Sequence, residues 1–112
     1  MTSFPSSQEL LNLFNSLKNP VVFTDCEHMI RYMNRAAINH YKEGESLVGT
    51  NLLDCHNPES QSLILEIFEE MKKGLEERLI TDNEKYRIYM RAIRDNEGNL
   101  VGYYERYEPP VK

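Results

Sequence analysis

Apolar and polar positions change their spacing several times along this chain. Leu10, Leu13, Phe14 and Leu17 recur at helical intervals, because a period of 3.6 returns side chains to one face every three or four residues. Ser6 or Ser7 suits the cap of that helix, and Asn19-Pro20 ends it, since the residue before proline is pushed out of helical geometry. Val21-Val22-Phe23-Thr24 then reads as a strand, Asp25-Cys26-Glu27-His28 as a turn and Met29 to Met33 as the hairpin partner. Asn34 is the expected cap of a short helix over Arg35-Ala36-Ala37-Ile38, and Gly44 and Gly49 punctuate the loop beyond it. The clearest helix starts at Asn57-Pro58 and stops at Gly74. Its predicted apolar face is Leu63, Ile64, Ile67, Phe68 and Met71, with Glu66, Glu69, Glu70, Lys72 and Lys73 on the wet side. Three strands close the chain: Glu77 to Thr81, Tyr86 to Ile93 and Leu100 to Tyr107. Asp82-Asn83-Glu84 and Asp95-Asn96-Glu97-Gly98 supply the turns between them.

Strands split around a helical middle predict an α+β fold, an antiparallel sheet with helices packed on one face. A chain of 112 residues has room for one core. We divide it into an N-terminal amphipathic helix (1–19), a domain (20–108) and a short tail (109–112). The net charge of −5, with no Lys/Arg cluster, speaks against a nucleic-acid partner. No apolar run is long enough for a membrane span, and the first residues lack the blocks of a signal peptide. Cys26 and Cys55 are too few for a disulfide framework and read as reduced thiols, which points to the cytoplasm. Either the chain signals in trans as a separate small protein, the expectation its Met1 start favours, or it is a fragment of a longer one. Five of the seven tyrosines lie in the last quarter, as a half-exposed sheet face would have them.

The element order and four local motifs resemble the PAS domain family across nearly the whole chain. The motifs are the hairpin Val21-Val22-Phe23-Thr24-Asp25 to Met29-Ile30-Arg31-Tyr32-Met33-Asn34, the helix start Asn34-Arg35-Ala36-Ala37, the Leu47-Val48-Gly49 segment, and the closing hairpin from Ile93 to Gly102. The resemblance implies a five-stranded antiparallel sheet cupping a pocket under the middle helices. Family members fill that pocket with haem, flavin, small metabolites or nothing, and many dimerise through an N-terminal helix. The stripe Leu10, Leu13, Phe14 and Leu17 serves such pairing or covers its own sheet; both need the same apolar face.

The family's flavin photosensors carry a reactive cysteine after a Gly-Arg-Asn run. Here the matching stretch is Gly49-Thr50-Asn51-Leu52, with leucine in the thiol's place, so flavin photochemistry is not expected. Covalent haem needs Cys-x-x-Cys-His, and only Cys55-His56 is present. Non-covalent haem needs an axial ligand, an apolar slot and partners for the propionates. His56-Asn57-Pro58-Glu59-Ser60 resembles a segment of carbon-monoxide-responsive bacterial regulators in which the histidine ligates haem iron. By that resemblance His56 is the metal ligand; read from the residues themselves, Ile64 and Phe68 are expected to line the slot with Leu63 and Ile67, and Arg87 or Arg91 to meet the propionates. The sixth position is vacant, water-filled or held by Met90. The competing reading makes His56 an ordinary residue before a helix.

Three weaker features complete the inventory. Cys55 beside His56 is a candidate redox thiol. Glu105-Arg106 in the last strand is expected to face water. No nucleophile, base and orienting group converge, so no enzyme activity is expected. The chain therefore reads as a sensory domain that binds a small ligand, with haem b at His56 the sharpest version, acting as a homodimer or on a partner protein in trans. The alternative is a cofactor-free module for dimerisation or protein interaction.

Overall fold

The computed structural model describes residues 4–111. Its elements are α1 (Ser7–Asn15), β1 (Val21–Asp25), β2 (Ile30–Met33), α2 (Arg35–His40), α3 (Pro58–Lys72), β3 (Glu77–Asp82), β4 (Arg87–Arg94) and β5 (Leu100–Glu108), with short 3-10 turns at Gly44–Leu47 and Leu52–Cys55. The strands form one antiparallel sheet in the order β2-β1-β5-β4-β3, which places β5 at its centre.

Alternation along the strands sends Val22 and Thr24, Ile88 and Met90, and Tyr103, Glu105 and Tyr107 to one face. That inner face packs against Ala37 of α2 and against Ile64, Ile67, Phe68 and Met71 of α3. Leu63 departs from expectation. It stays 37% exposed, because the buried stripe runs through Ile64, Ile67, Phe68 and Met71 and leaves Leu63 at its margin. Arg94 ties β4 to the far end of α3, donating from Nη2 to the carbonyl of Met71 at 2.7 Å and to that of Leu75, just beyond the helix, at 3.1 Å.

The helix starts are those the sequence predicts. Ser6 forms a full capping box with Glu9, Asn34 caps α2 and Asn57 caps α3. The first helix is shorter than expected. It stops at Asn15 because the Ser16 hydroxyl donates to the Leu13 carbonyl at 2.6 Å, giving the backbone a competing partner. It also lies apart from the other helices. While α2 and α3 cover the inner face, α1 flanks the outer one, where its apolar side chains and Val21, Phe23, Ile93 and Tyr104 line a groove of about 810 Å3.

Gly102 lies in the middle strand opposite Asp25 and Ile93. A Cβ there would drive into the Thr24 carbonyl oxygen and reach 3.0 Å from Phe23 Cε1. The obstacle is backbone of the neighbouring strand, so β1 and β5 would have to separate locally. Gly102→Ala is expected to lower stability by about 2–3 kcal/mol, read as a shift of the urea midpoint at unchanged slope.

Candidate functional site

Between β1, β2 and the segment from Tyr41 to His56 lies a cavity of about 270 Å3. Its floor is Val22, Ile30 and Met33 of the sheet, and Tyr41, Leu47 and Leu52 form its wall. Glu43, Asp54, Cys55 and His56 stand around its mouth. The wall is fixed to the sheet by backbone bonds. Gly49 N donates to Ile30 O at 2.7 Å, Ile30 N to Thr50 O at 2.9 Å and Leu52 N to His28 O at 2.7 Å. Gly49 makes this possible at φ +92°, a conformation that side chains disfavour. On the opposite side Gln61 Nε2 donates to Leu53 O at 2.8 Å and His56 O at 2.9 Å, tying the mouth to α3.

His56 therefore sits where the sequence analysis sought a pocket histidine. It is half-buried, and burial pushes its imidazole below the ordinary histidine pKa, which favours the neutral ring at pH 7. The other proposed binding residues lie elsewhere. Ile64, Phe68 and Met90 are filled core, and Met90 is fully buried under the sheet. None of the three lines the cavity. Arg87 bonds Pro109 O, Tyr89 Oη and Glu108, and Arg91 pairs with Glu77 at 3.4 Å. Both arginines belong to the outer-face residues of β4, remote from the cavity. The Cys55 thiol moves the wrong way for a reactive thiolate, since burial and then Glu43, Asp54 and Glu105 push its pKa up.

Haem does not fit these residues. At about 270 Å3 the cavity falls just below the roughly 300–1,000 Å3 usual for organic ligands, too small for a macrocycle. Its mouth presents carboxylates where propionates would need cations.

Glu105 is the residue the sequence reading misplaced. It does not face water but is 5% exposed, and on the sheet it stands opposite Val22 of the cavity floor and Met90. Its charge acts on Tyr41 and Cys55, which both line the cavity, and on Tyr103 and Tyr107. Burial alone raises its carboxyl pKa to about 7, with no hydrogen bond or counter-charge opposing the shift. The flanking hydroxyls are engaged elsewhere, Tyr107 with Tyr41 and Tyr103 with His28 Nδ1 at 2.8 Å. Thr24 Oγ1, on the same face, is buried without a partner. A signal for Glu105 existed in the sequence: Tyr103, Glu105 and Tyr107 alternate on one strand and must share a face.

Five antiparallel strands in this order, cupping a cavity beneath short helices, define the class of α+β domain to which this chain belongs. The PAS domain profile matches residues 10–108, and the chain belongs to the PAS domain family, whose domains are sensory and signalling modules. Similar solved structures agree in fold. A C-terminal domain from Streptococcus mutans superposes with a TM-score of 0.78 at 21% identity, covering 97% of this chain and 88% of that one. A PAS domain from Colwellia psychrerythraea gives 0.71 at 14% identity, covering 91% and 94%. A dual PAS-haem oxygen sensor from Vibrio cholerae gives 0.60 at 19% identity, covering 80% and 92%. Among curated proteins none matches the chain.

Proposed function

We propose that this PAS domain is a ligand-gated sensory module whose cavity takes a small organic molecule rather than haem. The observation that carries this reading is the cavity itself. It joins an apolar floor of Val22, Ile30 and Met33 to a polar rim, the composition of sites that hold and orient small ligands. The rim is coupled to two elements at once, β2 through Gly49 and Thr50 and α3 through Gln61. A ligand that prefers one arrangement of that segment shifts the population of both elements. Although the similar Vibrio cholerae sensor is a haem protein, the acidic rim and the remote arginines separate this chain from that chemistry.

The output surface in this reading is α1 and the outer sheet face. Leu10, Leu13, Phe14 and Leu17 remain 40–57% exposed beside the groove, which supports pairing with a second copy. That stripe also favours the second reading, a cofactor-free module that pairs through α1 whatever its cavity holds.

Methionine-methyl NMR separates the two. A panel of small neutral aromatics (benzamide, indole, benzyl alcohol) at millimolar concentration is expected to shift the Met33 methyl and leave that of Met71, buried in α3, unchanged. A Met33 signal indifferent to every probe favours the cofactor-free module. Haemin is expected to give the same broad spectrum with the wild type and His56→Ala; a sharp Soret band lost in His56→Ala would restore the haem reading.

A further inference from the structure

The groove between α1 and the outer sheet face, about 810 Å3, is three times the size of the inner cavity of about 270 Å3. An amphipathic helix on a sheet ordinarily buries its apolar stripe, yet no residue of α1 is buried, and Leu10, Phe14 and Leu17 line open space. The facing floor is equally apolar, with Val21 and Phe23 on β1 and Tyr104 directly opposite Phe23 on β5. Among the described residues only two charged side chains border it, Arg31 and Arg106, and both are cations in a chain of net charge −5. Strand register sets them towards opposite ends of β1. Arg106 stands opposite Val21, whereas Arg31 lies between the partners of Phe23 and Thr24. Arg106 is already claimed, donating to Glu77 and Glu108 and lying 4.5 Å from the centre of the Tyr89 ring. Arg31 is not. Its one carboxylate contact among the described residues, Asp25 at 3.5 Å, is at the limit of a hydrogen bond, and Oδ1 of that carboxylate serves the backbone of Glu27 and Met29.

We propose that this groove binds a free single-chain fatty carboxylate, its alkyl tail along the α1 stripe and β1 and its head group on the Arg31 guanidinium. The inference goes beyond the inner cavity and stands independently of what that cavity holds. An apolar space of this size with a few polar groups at its edge has the composition of an organic-ligand site. A guanidinium with free donors takes a carboxylate in a two-pronged, charge-assisted bond. Pairing through α1 still has Leu13, which lies outside the groove, but a second copy suits the groove itself poorly. The one acid of α1, Glu9, is committed to the capping box with Ser6, and a symmetric partner brings the same two cations to the same face. With α1 as one wall and the sheet as the other, the space is a slot for one chain rather than a flat surface for a bilayer.

Decanoate, decanol, decyltrimethylammonium and hexanoate, each below its micelle concentration, test this on the full chain by amide NMR. Decanoate is expected to shift the amides of Phe14, Phe23 and Tyr104 and to leave Leu47 and Leu52 of the inner cavity wall unmoved. It should bind about tenfold more tightly than decanol, with decyltrimethylammonium weakest. Hexanoate should bind about tenfold or more weakly than decanoate, since each CH2 that enters the groove strengthens binding by up to about fourfold. Arg31→Gln should cost decanoate about tenfold and leave decanol unchanged; the side chain is exposed, so the fold survives the change. Leu10→Ser should weaken both alkyl ligands alike, at a position where no core packing is lost. Equal binding of decanoate and decyltrimethylammonium, or a decanoate affinity indifferent to Arg31→Gln, overturns the assignment. So do shifts confined to Leu47 and Leu52, which would place the chain in the inner cavity. Groove amides that respond to protein concentration and not to decanoate would give the groove to a second copy. Groove amides that respond only to phosphatidylglycerol vesicles would make this face a membrane contact, and either result overturns the free fatty carboxylate.

Discussion

Glu105→Gln is expected to make the ligand-free protein about 3 kcal/mol more stable at pH 8, with the gain shrinking below about 1 kcal/mol by pH 5. The sign follows from where protons sit. The buried carboxyl has a folded pKa of about 7 against an ordinary 4.5. Between those values the folded state holds a proton that the unfolded state has released, so stability falls as the pH rises through the window. Below it both states are protonated and the carboxyl behaves much as an amide. Above it the native state must keep an unpaired carboxylate indoors. His28 and His56, depressed by burial, tilt stability in the opposite direction. They are common to both proteins and cancel in the difference. Urea denaturation of the pair from pH 5 to 8 reads the gap directly; parallel curves would show that Glu105 is solvated in the native state.

A larger loss is expected from Asn34→Ala, about 4 kcal/mol. Asn34 is fully buried, and both lone pairs and both amide protons are used. Oδ1 accepts from Val21 N at 3.0 Å and Ala37 N at 2.9 Å, while Nδ2 donates to Asn19 O at 3.0 Å and Phe14 O at 3.2 Å. Truncation removes a helix cap, worth about 1 kcal/mol, and strands backbone groups that water reaches poorly, at about 1 kcal/mol or more each. Asn34→Asp separates the two halves of the role. It keeps both acceptor bonds but sets a carboxylate against the carbonyls of residues 14 and 19. Hydrogen exchange should then quicken in α1 ahead of the sheet, whereas a uniform change along the chain would place the whole effect in global stability.

Much of this architecture was legible because local chemistry and tertiary packing agree. Asn34 and Asn57 cap where their side chains permit, and Asp95-Asn96-Glu97-Gly98 turns where its residues demand. The strand bounds differ from expectation by about a residue. The errors have a common cause in side chains that answer to distant partners. Leu63 has the right residue type and a helical position but sits beside the stripe, which depends on how α3 is rotated against the sheet. Ile64, Phe68 and Met90 were rightly read as apolar, yet whether an apolar residue fills a core or lines a cavity depends on neighbours far away in sequence. Arg87 and Arg91 were assigned to propionates from their charge, whereas strand parity puts them with Tyr89 on the outer face. Glu105 is the reverse error, since its charge suggested water while the alternation around it dictated burial.

The attachment of α1 has a mechanical consequence. Among the described residues, the polar ties between this helix and the sheet domain enter from its middle onward: Tyr32 Oη and Arg35 N reach Asn15 Oδ1 at 2.9 Å each, Asn34 Nδ2 reaches Phe14 O, and Tyr32 Oη makes a long 3.5 Å contact with Leu11 O. The first turn has no such anchor and no residue of α1 is buried. The helix is thus a lever pivoting at its base. Nine residues span about 13 Å, so a tilt of about 20° at the Asn34 pivot sweeps the Ser7 end through about 5 Å. Asn34 itself directly follows Met33, a residue of the cavity floor. A displacement of that floor carried through Asn34 would arrive at the Ser7 end geometrically magnified, without any change of fold.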